Sequence, residues 1–212
     1  VSAPLNSVAD TLGTAILLEL LINVLWVFGL HGANIVGAVT TPIFTPMLLD
    51  NTAAYEAGKT GKDIPHIING VGVFATIGGS GSTFGLIIAI LLFGKVESER
   101  TVIGISVAPG LFEINEPITF GIPIVMNPTY MLPFIVGPTV LAALTYILMK
   151  GNIIERGCLS IPWVTPPVLA GFLMTGGGIR AAIYQVITII LDTILWVPFV
   201  MMSNKQNAVN AD

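Results

Sequence analysis

Glu116 is the side chain in this sequence whose presence is hardest to explain by packing. From residue 101 to residue 149, Glu116 and Glu113 are the only Asp, Glu, Lys, Arg or His residues. A carboxylate at the centre of a membrane helix costs about 2.5–3.5 kcal/mol on insertion scales, so we expect Glu116 to face protein, water or a ligand. Pro109 and Pro117 bracket it, and Pro117 disfavours helical dihedral angles at Glu116. We therefore predict a broken helix at membrane depth, which is tolerated only where it is buried in protein or lines a cavity.

His31 lies in a second group of polar and aromatic residues inside an apolar run. An imidazole near the amide of Asn34 can hydrogen-bond a neutral polar ligand, and the indole of Trp26 can stack on the apolar face of a sugar ring. Alternatively, a backbone carbonyl at a helix end satisfies His31, and Trp26 is an anchor at the membrane interface. The residues of this group favour neither interpretation over the other.

The run from Gly78 to Gly85 resembles a phosphate-binding loop only superficially, because it lacks the Gly-Lys-Ser/Thr ending. We expect its small residues to let backbones approach closely, while Ser80 and Ser82 offer hydroxyls to a ligand or to neighbouring helices. Trp163 is a second candidate for ring stacking, although packing against the flanking prolines is slightly favoured. Glu113 is expected to be a secondary or interfacial group rather than a catalytic partner of Glu116.

The composition indicates an integral membrane protein. Of the 212 residues, 54% are hydrophobic and only 9% are charged, whereas about a quarter of the residues in a soluble domain are charged. The net charge of −4 without a basic patch gives no reason to expect a nucleic-acid partner. Cys158 is the single cysteine, so it forms no internal disulfide, and we expect it to be a small buried side chain. We predict no metal site and no cofactor.

Glycine and proline inside the apolar segments predict an all-α membrane bundle with interrupted helices. We predict helices over about 12–30, 64–93 with a break at 78–85, 130–149 and 180–202. The apolar segment 34–49 is predicted to re-enter or dip, because it contains Pro42 and Pro46. Polar connections are predicted at 50–63, 95–100 and 150–156, with a frayed tail from 203 to 212. Basic residues fall on most connections, so the positive-inside rule does not fix the orientation.

Three segments of the sequence resemble the membrane component (enzyme IIC) of phosphotransferase-system permeases for cellobiose, diacetylchitobiose and lactose. They are Trp-Val-Phe-Gly-Leu-His-Gly-Ala-Asn at 26–34, Pro-Gly-Leu-Phe-Glu-Ile-Asn-Glu-Pro-Ile-Thr-Phe-Gly at 109–121 and Pro-Trp-Val-Thr-Pro-Pro at 162–167. The resemblance implies an all-helical membrane homodimer in a bacterial cell membrane, crossing it several times, with re-entrant hairpins. It also implies that residues 1–212 correspond to the C-terminal, substrate-binding half, because the family's N-terminal helices have no counterpart here.

The resemblance assigns roles by position. Glu116 resembles the carboxylate that holds the C6 hydroxyl of the sugar, and His31 resembles its partner. Asn115 belongs to the specific Asn-Glu-Pro signal, and Trp26 and Trp163 fall in the matching aromatic segments. Glu113 stands where a neutral amide is expected, which leaves its role open.

The expected function is therefore that of a sugar-transporting subunit which binds a β-linked disaccharide and presents its C6 hydroxyl for phosphorylation. The resemblance implies that the phosphoryl donor is a cysteine-phosphate on a separate cytoplasmic enzyme IIB, served in turn by enzyme IIA. No catalytic residue is expected on this chain, and Cys158 is not the donor.

Two other functions fit the residues. In an ion- or proton-coupled secondary transporter, Glu116 would carry the proton and the broken helices would form an ion site. A membrane sensor or assembly subunit that transports nothing would show no saturable sugar binding.

Overall fold

The computed structural model describes residues 9–125 and 127–209. Between Leu12 and Val209, the described residues form nine α-helices and no strand. The helices are α1 (Leu12–Val27), α2 (Gly32–Glu56), α3 (Ile68–Ala75), α4 (Thr83–Phe93), α5 (Glu97–Leu111), α6 (Glu116–Gly121), α7 (Pro128–Lys150), α8 (Leu169–Met174) and α9 (Ile179–Val209), with a 3-10 turn at Gly61–Asp63. This confirms the prediction of an all-helical bundle.

Three of the described helices, α2, α7 and α9, are long and apolar enough to cross a membrane. Helices α1 and α4 are apolar but shorter. The most extensive packing pairs α4 with α9 and α1 with α7. One cluster of buried side chains includes Phe74 and Met149, and a second includes Trp196, Phe134 and Ile118. The two shorter apolar helices, α1 and α4, are thus each packed against a long one.

Helix α1 begins and ends near the predicted positions. The hydroxyl of Thr11 accepts a hydrogen bond from Thr14 N–H and caps the first turn. The helix ends at Val27, and Gly29 then adopts a φ of +78°, a value that glycine reaches without steric cost. The chain therefore reverses direction just before His31.

The predicted dip at 34–49 is wrong, because α2 is one continuous helix of 25 residues that contains both Pro42 and Pro46. Proline is tolerated in membrane helices where local adjustments and neighbouring groups satisfy the freed carbonyls. The predicted loop at 50–63 also starts too early, since α2 continues to Glu56. Its polar residue Asn51 is fully buried, where its amide donates to the carbonyls of His66 and Gly157. Asn51, which the sequence places in a predicted loop, thus connects α2 to two other segments of the chain by hydrogen bonds.

Both predicted helix breaks are confirmed. Residues 76–82 separate α3 from α4, and residues 112–115 separate α5 from α6. The expected effect of Pro117 is only partly right, because Glu116 is the first residue of α6 and Pro117 lies in its first turn. Proline is favoured at that position, where its missing N–H would have no partner within the helix.

The predicted connection at 95–100 and the predicted frayed tail are both shorter than expected. Helix α5 begins at Glu97, inside the predicted link 95–100, and Glu97 and Glu99 suit the positive end of its dipole. Helix α9 extends to Val209, past the predicted end at 202, so most of the expected frayed tail is helical. Ser203 explains part of this difference, because its hydroxyl donates to the buried carboxylate of Glu99 at 2.6 Å. Residues 210–212 lie outside the described part.

Candidate functional site

A cavity of about 750 Å³ lies where the broken helices meet. Its lining comes from the α1–α2 connection, helix α3 and the glycine-rich turn, the α5–α6 break, and the segment that leads into α8. The polar and aromatic side chains of the lining are Trp26, His31, Asn34, Asn69, Thr76, Ser80, Glu113, Asn115, Glu116, Trp163 and Thr165. This volume and polarity suit a hydroxyl-rich small molecule.

Glu116 and His31 face each other across the cavity wall. The distance from His31 Nε2 to Glu116 Oε1 is 3.9 Å, and the two side chains are 43% and 47% exposed. This separation is too long for a direct hydrogen bond. Both groups therefore keep capacity for a ligand.

The backbone fixes the orientation of the His31 ring. His31 is the N-cap of α2, and its Nδ1 accepts a hydrogen bond of 3.3 Å from Asn34 N–H. A neutral ring with Nδ1 as acceptor carries its proton on Nε2, the nitrogen that faces Glu116. The imidazole can thus donate toward the cavity.

Trp26 supports the His31 ring more than it faces the ligand space. Its ring centroid lies 4.6 Å from that of His31 and 6.2 Å from that of Phe120. Only 3% of Trp26 is exposed, and its Nε1 has no hydrogen-bond partner among the described residues. In contrast, Trp163 is 72% exposed and offers an open ring face. Of the two predicted stacking residues, Trp163 has the more suitable geometry.

Glu113 holds the glycine-rich turn against the α5–α6 break. Its Oε2 accepts hydrogen bonds from Gly78 N–H at 2.6 Å and from Gly79 N–H at 3.0 Å. Glu113 itself has a φ of +66°, which is uncommon for a residue with a side chain. Such strain persists where surrounding contacts determine the conformation.

Asn115 makes the second link between the same two breaks. Its amide donates to Ser80 O at 2.8 Å, and only 4% of Asn115 is exposed. Gly79 lies between these links with a φ of +92°, and a Cβ there would come within 2.8 Å of Glu113 O. The two interruptions thus form one hydrogen-bonded unit that carries Glu116 at its edge.

The family model for the phosphotransferase system, EIIC, matches residues 4–138. The chain belongs to this family. The resemblance inferred from the three sequence segments is thereby confirmed.

Two sequence relatives and one solved structure are similar to this EIIC chain. It is 38% identical to the lichenan permease IIC component of Bacillus subtilis (strain 168), over 96% of the chain and 45% of that protein. It is 34% identical to the cellobiose-specific EIIC component of Lactococcus lactis subsp. lactis (strain IL1403), over 100% of the chain and 47% of that protein. The crystal structure of the transporter ChbC, the IIC component of the N,N'-diacetylchitobiose-specific phosphotransferase system, matches with a TM-score of 0.91 and 35% identity, covering 98% of the chain and 48% of that structure. The chain spans about half the length of these relatives.

Most site residues predicted for the EIIC chain line one cavity: Glu116, His31, Asn115, Trp26, Asn34, Trp163 and Ser80. Ser82 does not line it. Its side chain is fully buried with a φ of +52°, and its carbonyl accepts a hydrogen bond from Trp196 Nε1. Ser82 is the N-cap of α4, so its side chain lies at the start of that helix and not in the cavity wall.

Sequence reasoning missed the support behind the cavity. Asn23 is fully buried in α1, and its Oδ1 accepts a hydrogen bond of 2.7 Å from Gly81 N–H. Asp192 is buried in α9 and accepts a hydrogen bond from Gly85 N–H at 3.0 Å. The signal that could have found Asn23 is its position among apolar residues, four residues after Glu19. Among the described residues, no group of three or more His, Cys, Asp or Glu could hold a metal ion.

Proposed function

We propose that this chain is the substrate-binding half of a phosphotransferase-system permease that binds a β-linked disaccharide and presents its C6 hydroxyl for phosphorylation. The observation that carries this proposal is the pair of side chains His31 and Glu116, 3.9 Å apart on the wall of a cavity. Two groups at this separation can share one hydroxyl, since an oxygen atom can lie about 2.8 Å from each of them.

The hydroxyl would be oriented by both groups at once. Glu116 would accept its hydrogen in a charge-assisted bond, and His31 Nε2–H would donate to its oxygen. A hydroxyl held in this way keeps one lone pair for attack on a phosphoryl group, and Glu116 draws its proton away. The pair therefore suits an acceptor that must lose a proton when it is phosphorylated.

The proposed substrate class rests on the shape of the cavity and on the relatives. The volume of about 750 Å³ is large enough for a disaccharide. Trp163, in the segment that leads into α8, offers an exposed ring on which a sugar can stack. The side chain of Asn34 offers an amide for hydrogen bonds to sugar hydroxyls. The named specificities of the matched relatives are lichenan, cellobiose and N,N'-diacetylchitobiose. Two of these three named sugars are β-linked disaccharides, which supports this substrate class.

The phosphoryl donor must come from another protein. Cys158 is 1% exposed, its Sγ donates to Met174 O, and it does not line the cavity. We propose enzyme IIB as the direct cytoplasmic partner, enzyme IIA as its phosphate source, and a homodimer of the complete permease in the bacterial cell membrane. The three long apolar helices support such a location, with several crossings.

The test uses a purified permease that carries this chain, reconstituted in vesicles. With phosphorylated IIB and labelled cellobiose, we expect saturable uptake and a 6-phosphorylated product. A 6-deoxy analogue of cellobiose should bind weakly and give no product. Uptake of unmodified sugar that needs only an ion gradient would instead identify an ion-coupled transporter, in which Glu116 carries a proton. Absence of any saturable sugar binding would identify a non-transporting subunit.

A further inference from the structure

The segment that carries Trp163 has little conformational freedom between the cavity and the start of α8. Trp163 and Thr165 line the cavity, and Pro166 and Pro167 follow them directly before Val168. Proline fixes its own φ and restricts the residue that precedes it. The position of the chain at Val168 therefore determines where Trp163 lies more closely than a flexible loop would.

Val168 itself has an unusual backbone conformation. Its φ is +71° and its ψ is −51°, and a positive φ is a genuine outlier for a β-branched residue. Val168 is the N-cap of α8, but its side chain has no atom that could accept a hydrogen bond from the first turn. Such a conformation persists only where the surrounding structure determines it.

The contacts that determine it come from Gln185 in α9. Gln185 Oε1 accepts hydrogen bonds from Val168 N–H and from Gly171 N–H, each at 2.8 Å. The bond to Gly171 takes the place of an N-cap side chain, because the N–H groups of the first helical turn have no partner within the helix. A Cβ on Gly171 would lie 2.6 Å from Gln185 Oε1, so glycine leaves the room that this bond requires.

The same amide also binds a second wall of the cavity. Gln185 Nε2 donates to Val73 O at 2.9 Å. Val73 lines the cavity and lies in the last turn of α3, where carbonyl groups lack partners within the helix. Gln185 is fully buried and is not among the residues that line the cavity. One amide behind the cavity thus joins the start of α8 to the end of α3.

We propose that Gln185 is a positioning residue for the stacking of a sugar ring on Trp163, because it holds the Trp163 segment at a fixed distance from α3. The inference rests on the proposed function, since it assumes that a disaccharide occupies the cavity. Gln185 does not touch the sugar. Without its amide, two buried N–H groups and Val73 O would lose their partner, the backbone at Val168 would relax, and the ring of Trp163 would lose its fixed position.

The test is a double-substitution cycle on purified permease that carries this chain, with cellobiose binding measured by calorimetry. Gln185→Met keeps a side chain of similar length and removes every hydrogen bond of the amide. In the parent background it should weaken cellobiose binding about tenfold. In the Trp163→Leu background it should cost less than about twofold, because the ring that Gln185 positions is no longer there.

Tryptophan fluorescence gives a second readout that a general loss of stability would not change in the same way. The part of the emission change at saturating cellobiose that disappears in Trp163→Leu comes from Trp163. Gln185→Met should reduce this part even when the cavity is saturated. If Gln185→Met does not fold, both measurements use Gln185→Glu, which keeps an oxygen for Val168 N–H and Gly171 N–H and loses the amide donor to Val73 O. It should again weaken binding less in the Trp163→Leu background than in the parent.

The matched control is Thr188→Val. Thr188 is also fully buried in α9, but its hydroxyl donates to Tyr184 O in the same helix, and Thr188 does not line the cavity. This variant loses a buried hydrogen bond of α9 without affecting the Trp163 segment. It should keep the affinity for cellobiose within about twofold and the full emission change.

Three outcomes would overturn the inference. The first is an equal loss of affinity from the Gln185 substitution with and without Trp163, which would show that Gln185 only supports the fold. The second is a folded Gln185→Met variant with unchanged cellobiose affinity. The third is a Trp163→Leu variant that binds cellobiose as the parent does. If the parent binds no disaccharide at all, the proposed function fails as well, whereas additive substitutions in a parent that binds cellobiose overturn this inference alone.

Discussion

His31 and Glu116 both begin a helix: His31 is the N-cap of α2, and Glu116 is the first residue of α6. Their 3.9 Å separation is therefore set by two backbone turns rather than by a direct bond between the side chains. A ligand hydroxyl meets two groups that are already oriented.

Glu116→Gln tests the charge at this position. Glutamine keeps the size and an acceptor oxygen but loses the charge, so the charge-assisted bond to the sugar should weaken. We expect a loss of about 1.5–3 kcal/mol in disaccharide binding, which corresponds to roughly 10- to 100-fold in the dissociation constant. Calorimetry with cellobiose on parent and variant permease measures it.

The 6-deoxy analogue of cellobiose is the control for Glu116→Gln. The analogue lacks the hydroxyl that Glu116 is proposed to hold, so the parent should bind it poorly and the variant should bind it about equally poorly. Unchanged cellobiose affinity in the variant, with loss of an uptake that follows a proton gradient, would contradict the orienting role.

The two tryptophans of the cavity are expected to respond differently to replacement by leucine. Trp163 is 72% exposed, so Trp163→Leu should weaken sugar binding while leaving the thermal unfolding midpoint nearly unchanged. Trp26 is 3% exposed and contacts His31, so Trp26→Leu should lower that midpoint and weaken binding through the loosened imidazole. Binding and melting are measured on the same detergent samples. Equal, negligible effects on binding would assign both rings to packing.

Several parts of the site could be predicted because the signals are local. A carboxylate and an imidazole stand out in apolar runs, since burial of an unsatisfied ionisable group is costly. Gly78–Gly85 and the prolines around Glu116 mark helix breaks for similarly local reasons. These local features predict the cavity residues without any information on contacts between distant segments.

Other parts could not be predicted because they depend on contacts between distant segments. Nothing near Asn23 in the sequence shows that its side chain meets Gly81, 58 residues further on. The same holds for Glu113, which the sequence treats as a secondary group and which the fold uses to hold Gly78 and Gly79. The predicted dip at 34–49 is wrong because the sequence does not show which neighbouring groups let a membrane helix tolerate Pro42 and Pro46.

Gly79→Ala tests the close approach between the two helix breaks. The φ of +92° is unfavourable for alanine, and the new Cβ would lie within 2.9 Å of Asn115 as well as close to Glu113 O. We expect a lower unfolding midpoint and a marked loss of sugar binding, because the turn and Asn115 must move apart.

The matched control is Gly58→Ala, because Gly58 has a φ of +80° but no atom lies within 4 Å of the new Cβ. It should cost only the backbone strain, about 1–2 kcal/mol, and leave binding intact. Equal effects of both substitutions would show that strain alone matters at Gly79.

Glu155 links the α7–α8 connection to the start of α9. Its carboxylate accepts from Arg180 Nε at 2.9 Å and from Ala181 N–H at 2.8 Å. Burial favours the neutral form of Glu155, but these hydrogen bonds outweigh that effect, so the pKa of Glu155 lies below its ordinary value. A depressed pKa in the folded state means that ionisation of Glu155 stabilises the fold.

The stabilisation by Glu155 should therefore depend on pH in one direction. It is fully present above the unfolded pKa of about 4.3 and is lost as the pH falls through the lower folded pKa. Glu155→Gln should lower the thermal unfolding midpoint at pH 7, and its difference from the parent should shrink on acidification through this window. Glu97→Gln removes an exposed carboxylate that forms no side-chain hydrogen bond with another described residue, so its difference from the parent should stay small throughout. The measurement is a series of melting curves in one detergent from pH 7 to about pH 3. A difference for Glu155→Gln that stays constant over this range would show that the loss comes from packing and not from the ionised carboxylate.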